Sequence, residues 1–205
     1  MTLIVRVVAA VLTAVVAVVG LVACDSSAPS SGQAGPTSTD TPVITGEPAG
    51  FNAADVTFAQ QVIDHHRQAV QLAELVPQRS TNKDLAALAT RITGEQQSEI
   101  NTLNVFLVQW NEQPKLGQAD AGGPDQNLPG MVDPATVTRL ESLRGADFDR
   151  LWLQSMITHH QGAIEMAKAE IADGENVDAL AMARTMVSTQ QAEIGQMNTM
   201  LEGTP

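Results

Sequence analysis

The sequence predicts an all-α fold, a four-helix bundle made from two duplicated antiparallel helical hairpins, and three observations carry that prediction. Aromatic residues make up only 3% of the 205-residue chain and Tyr is absent, while Ala, Gln, Leu and Met dominate the later part. That composition suits helices over sheets. The stretch from about Asp55 to Leu103 aligns without gaps on Asp149 to Met197, superposing His65-His66 on His159-His160 and Glu99-Ile100 on Glu193-Ile194. Such a long ungapped match, with rare His-His pairs inside it, indicates internal duplication. Within each copy, apolar residues recur at helical spacing on either side of one short turn.

In chain order, the first element is a targeting segment. Arg6 precedes an apolar run from Val7 to Val22 that ends in Leu21-Val22-Ala23-Cys24, so residues 1–23 read as a signal peptide. Ala23 followed by the chain's only cysteine resembles a lipobox, which makes Cys24 the expected lipidation site and rules out an internal disulfide. Residues 24–50, rich in Ser, Thr, Pro and Gly, read as the lipidated Cys and a flexible linker. The expected location is the extracytoplasmic face of a membrane, reached through the lipid anchor.

Residues 51–205 form the expected helical domain, with repeats at about 55–110 and 146–201. At 100° per residue, Phe58, Val62, His65, His66, Ala69, Leu72 and Ala73 share one face of the first helix. Pro77 and Ser80-Thr81-Asn82 supply the turn. On the second helix Leu85, Leu88, Ile92, Gln96, Glu99, Ile100 and Leu103 share a face, so a Gln and a Glu interrupt an apolar stripe. Pro114 to Pro134 is a Gly-, Pro- and Asp-rich crossover, with Asp133-Pro134 starting a small helix that ends near Gly145. The second copy repeats the pattern, with Trp152, Met156, His159, His160 and Ala163 on one helix and Met186, Gln190, Glu193, Ile194 and Met197 on the next. Asp173-Gly174 and Glu175-Asn176 mark the turn between them.

Charge limits the partners. The chain carries 11 Lys and Arg against 23 Asp and Glu, a net −12 that repels nucleic-acid phosphates. All four histidines occur in the two pairs. Folding each hairpin about its turn brings His65-His66 level with Gln96 and Glu99, and His159-His160 level with Gln190 and Glu193. Packed face to face, the hairpins then gather four His, two Glu and two Gln in one polar layer, with Met156 and Met186 near it. A carboxylate buried without a partner costs several kcal/mol, so Glu99 and Glu193 need a hydrogen bond, a proton or a cation. The candidate metal ligands are His65, His66, Glu99, His159, His160, Glu193 and Met156. Imidazole suits copper, zinc, nickel and iron; thioether tilts the choice to Cu(I), and six of the eight methionines belong to the second repeat. Copper is therefore the favoured cofactor, with zinc or iron as the other candidates.

The sequence Met156-Ile157-Thr158-His159-His160-Gln161-Gly162-Ala163-Ile164-Glu165-Met166-Ala167, its counterpart from Asp55 to Ala73, and Leu128-Pro129-Gly130-Met131 resemble domain-of-unknown-function family 305. The resemblance runs from about Phe51 to Leu201. It implies a ferritin-like four-helix bundle, commonly exported, with copper binding or tolerance among some members. Val62 and Leu72 replace the motif methionines in the first half, so a thioether ligand is expected in the second. The Glu-x-x-His pairs of ferritin-like di-iron enzymes are absent, so their oxygen chemistry is not implied.

The leading functional expectation is a lipoprotein that binds or buffers a transition metal. The alternatives are a metal-dependent redox enzyme and a non-metal envelope interaction module whose polar layer sets helix register. No Ser-His-Asp or Cys-His constellation supplies a nucleophile.

Overall fold

Three asparagines and one aspartate start four of the described helices. Asn52, Asn82, Asp133 and Asn176 each sit in extended backbone and accept two N–H groups of the first turn that follows. The computed structural model describes residues 49–116 and 127–203, all within the unit Thr45–Pro205. Residues 1–48, with the signal segment, Cys24 and nearly all of the linker, lie outside the described residues, as do 117–126 of the crossover.

The described residues form α1 (Ala53–Glu74), α2 (Val76–Arg79), α3 (Lys83–Gln109), α4 (Pro134–Ser142), α5 (Gly145–Asp173) and α6 (Val177–Glu202), and contain no strand. The fold is thus all-α, with four long helices paired as the hairpins α1/α3 and α5/α6. Pro77 does not simply end α1. It stands in the first turn of α2, where its missing N–H costs nothing. No described helix is long and apolar enough to cross a membrane.

Each hairpin packs closely within itself, and the two meet mainly through α1 against α5, while α3 and α6 touch sparsely. The ends are tied across the repeat. Asp55 closes a capping box with Asn52 and also accepts the backbone N–H of Glu175 and Asn176 at 3.2 and 2.9 Å. At the other end Arg144 and Arg79 donate to the carbonyls of Gln78 and Glu141.

The core is divided in two. One apolar cluster holds Phe58, Val62, Leu103, Met166, Ala183 and Met186; the other holds Leu72, Leu85, Ile92, Trp152, Met156 and Met197. Repeat-equivalent residues fall in opposite clusters: Val62 lies in the first and Met156 in the second, Leu72 in the second and Met166 in the first. The duplication therefore acts as a pseudo-twofold rotation that exchanges the clusters. The His-Gln-Glu layer lies between them in sequence on all four helices.

Candidate metal centre

The histidines sit at the centre because their neighbours one turn away on the same helix face are core residues. Val62 and Ala69 flank the first pair, Met156 and Ala163 the second, and all four of these are fully buried. The close approach of α1 to α5 brings the rings of His65 and His159 to a centroid distance of 3.7 Å, tilted by 35°. His66 lies 6.3 Å from His65, and His160 lies 6.5 Å from His159, so the layer is a row of four imidazoles with the inner two in contact. All four residues are 0% exposed.

Hydrogen bonds fix how the rings face. Nε2 of His66 donates to the Glu99 carboxylate at 2.7 Å, and Nε2 of His160 donates to Glu193 at 2.8 Å. Nε2 of His65 donates to the Pro129 carbonyl at 2.9 Å. A carbonyl only accepts, so the His65 proton is on Nε2 and its Nδ1 carries a lone pair. Among the described residues, Nδ1 of all four histidines and Nε2 of His159 have no hydrogen-bond partner. Burial, then repulsion from His66, drives the His65 imidazolium down to a pKa of about 3. Burial, then His65, His160 and His66, likewise holds His159 well below its ordinary value. Both inner rings are therefore neutral, the form in which imidazole binds a metal.

A strap covers the α1/α5 side of the layer. The side-chain amide of Gln68 donates to the Val132 carbonyl and accepts the Val132 N–H, both at 2.8 Å. On α5, Gly162 makes room: a Cβ there would stand 1.9 Å from the Pro129 oxygen. Gly130 takes φ +75°, a conformation glycine adopts without strain. Gln68 and Gly162 occupy equivalent positions of the two repeats. Each serves the strap differently, one by bonding it and the other by letting it lie against the helix.

The structure brings His65, His66, His159 and His160 together, with Glu99 and Glu193 on the outer pair. Both carboxylates hold a ring N–H, the arrangement by which acidic residues orient ligating histidines. Gln96 and Gln190, each 3% exposed, present side-chain oxygens without a hydrogen-bond partner among the described residues. Met156 is fully buried one turn before His160 in the Trp152 cluster, and Met186 is buried in the opposite cluster. Among the described residues no three His, Cys, Asp or Glu groups already stand in a metal-holding arrangement. The orphaned imidazole nitrogens nevertheless fit a soft cation, with the His65–His159 pair as the nearest donors. Sequence reading missed Gln68 and the role of Pro129 as acceptor for His65. Leu128-Pro129-Gly130-Met131 was visible as a motif, and the Gln68/Gly162 mismatch between otherwise similar repeats was the remaining signal.

The DUF305 profile, a domain of unknown function, matches residues 55–201. A DUF305 protein from Streptomyces coelicolor is 28% identical, with a TM-score of 0.64 over 74% of this chain and 93% of its own. A DUF305 fragment from Deinococcus radiodurans is 29% identical, with a TM-score of 0.65 over 76% and 99%. CopM in its Cu(I)-bound form is 26% identical, with a TM-score of 0.60 over 73% and 96%, and CopM structures with Cu(II) and silver are similar too. No curated protein sequence matches significantly.

Proposed function

This chain belongs to the DUF305 family, and from that premise we propose that it binds and buffers a soft transition-metal ion, copper foremost, at the extracytoplasmic face of a membrane. A lipid on Cys24 would hold it there. The observation that carries the reading is the row of four buried imidazoles whose Nδ1 atoms lack hydrogen-bond partners. Desolvating such acceptors costs free energy that a bound cation offsets. Metal-bound CopM structures at 26% identity support the same class of ligand.

His65 and His159 would supply the first two donors, with His66, His160 and Met156 the further candidates. Glu99 and Glu193 would orient His66 and His160 through their N–H groups and balance the charge of the ion. Zinc in structural sites asks for four tetrahedral donors. A layer whose inner two imidazoles touch and whose outer two stand more than 6 Å away suits a low-coordinate ion better. The protein stores or passes on the ion, and no catalytic step is assigned to it.

The test is titration of the purified protein with Cu(I), Cu(II) and Zn(II), beside variants carrying His65→Gln with His159→Gln, and all four histidines replaced. Copper affinity should fall sharply in the first and vanish in the second. Equal copper binding by the parent and the four-histidine variant rejects the reading. The anchor has its own test, since Cys24→Ala should abolish incorporation of labelled fatty acid in cells.

A further inference from the structure

The two open sides of the histidine layer differ. On the α1/α5 side the strap lies directly on the rings' helices, pinned by Gln68 and by the contact at Gly162. On the α3/α6 side the helices touch sparsely, and charged groups occupy the seam. The side chain of Glu99 is 22% exposed although the His66 it holds is 0% exposed, so this carboxylate connects solvent to the layer. One turn earlier on α3, Glu95 is 42% exposed. Burial, then repulsion from Glu193 and Glu99, pushes its carboxyl up against the opposing pull of Arg91, so the three carboxylates share one field.

Arg91 stands within that field. Its guanidinium lies 3.5 Å from the Glu193 carboxylate on α6 and 3.9 Å from Glu95, and it donates to Gln196 at 2.6 Å. Glu193 is only 5% exposed, and its Oε1, the atom facing Arg91, has no hydrogen-bond partner among the described residues. The contact with Glu193 is an ion pair without a hydrogen bond, so one exposed bond to Gln196 and charge hold Arg91 there. In the other repeat the equivalents of Arg91 and Glu95 are Thr185 and Thr189, so the fold itself does not require this pair. Arg91 is 42% exposed and has solvent to swing into, and its charge cannot be titrated away.

We propose that cations reach the histidine layer through the seam between α3 and α6, over Glu95 and Glu99, and that Arg91 is a displaceable plug holding a cation's place beside Glu193. This rests on the metal-binding reading above. The carboxylates raise the local cation concentration, as charged clefts do, and the fixed positive charge of Arg91 opposes it until an incoming ion takes over the pairing with Glu193.

The test is the rate of silver(I) uptake, silver being a redox-inert probe, measured by stopped flow on the parent protein and three variants of verified helix content. Arg91→Gln should raise the second-order rate constant several-fold at low salt, and the gain should shrink as salt screens the seam. Glu95→Gln should lower it. Gln68→Ala, which loosens the strap on the opposite side, should not accelerate uptake. A parent that binds silver at a rate indifferent to Arg91 and Glu95, or accelerated by Gln68→Ala, overturns the port while leaving metal binding intact. A parent that takes up no silver overturns the metal-binding reading and the port with it.

Discussion

His65 and His159 are neutral in the folded chain, and that has a consequence for stability in acid. In the unfolded chain each titrates near 6.5, whereas burial keeps the folded His65 unprotonated down to about pH 3. Below 6.5 the unfolded state therefore binds protons that the native state refuses, and stability falls as pH drops. The limiting slope is about 1.4 kcal/mol per pH unit for each imidazole. The groups facing the two rings, His66, His160, Glu99 and Glu193, must be intact for the comparison. Urea midpoints of the metal-free protein should decline from about pH 7 to about pH 5 and decline less in a variant with His65→Gln and His159→Gln; parallel curves would contradict the neutral-pair argument. Gly162 gives a second residue-scale prediction. Gly162→Ala drives a methyl into the Pro129 carbonyl and should cost about 1–3 kcal/mol. Gly94→Ala, where a Cβ meets nothing within 4 Å in mid-helix, should stabilise by about 0.5–1 kcal/mol. Chemical denaturation of both variants decides.

At the scale of elements, the helix starts were legible because capping is local chemistry. Asn82 and Asn176 stand where the sequence marks turns, and each accepts two first-turn N–H groups. They should not be equal in effect. Asn82→Ala removes a cap and should cost about 1 kcal/mol. Asn176→Ala also removes a hydrogen bond from its Nδ2 to the Gly50 carbonyl at 3.1 Å, so its loss in urea stability should exceed that of Asn82→Ala. Equal losses would mean that the tie to Gly50 contributes nothing. Less legible was Asp55, an ordinary first-turn acid in sequence that in the fold joins α1 to the α5–α6 turn. The strap was equally hidden as an element, because Leu128 to Val132 has no periodicity and takes its path from Gln68, His65 and Gly162.

Over the whole molecule, the duplication sets a pseudo-twofold relation that exchanges the apolar clusters, so that Met156 in one cluster answers Val62 in the other, and Met166 answers Leu72. The polar layer between them weakens the core, since unpartnered buried acceptors cost free energy on folding. A ligand that binds only the folded layer should return it. With copper or silver at about a hundred times its dissociation constant, linkage predicts a gain of about 2.7 kcal/mol. Calorimetry should show this as a melting temperature that climbs with metal concentration in the parent and stays flat in the four-histidine variant. A rise of the same size in both would locate binding elsewhere on this acidic chain.

The helical period, the turn residues and the repeat offset are properties of short stretches of chain. By themselves they determined four long helices in two hairpins, the level of the His-His pairs with Gln96, Glu99, Gln190 and Glu193, and the shared layer. What depended on how one hairpin rotates against the other was decided only by tertiary structure. The contact of His65 with His159, the free Nδ1 atoms, the strap over α1 and α5 and the reach of Arg91 to Glu193 all belong to that second set. Packing of distant segments sets them: α1 meets α5 closely while α3 and α6 stay apart, and no spacing within a single helix encodes which pair closes.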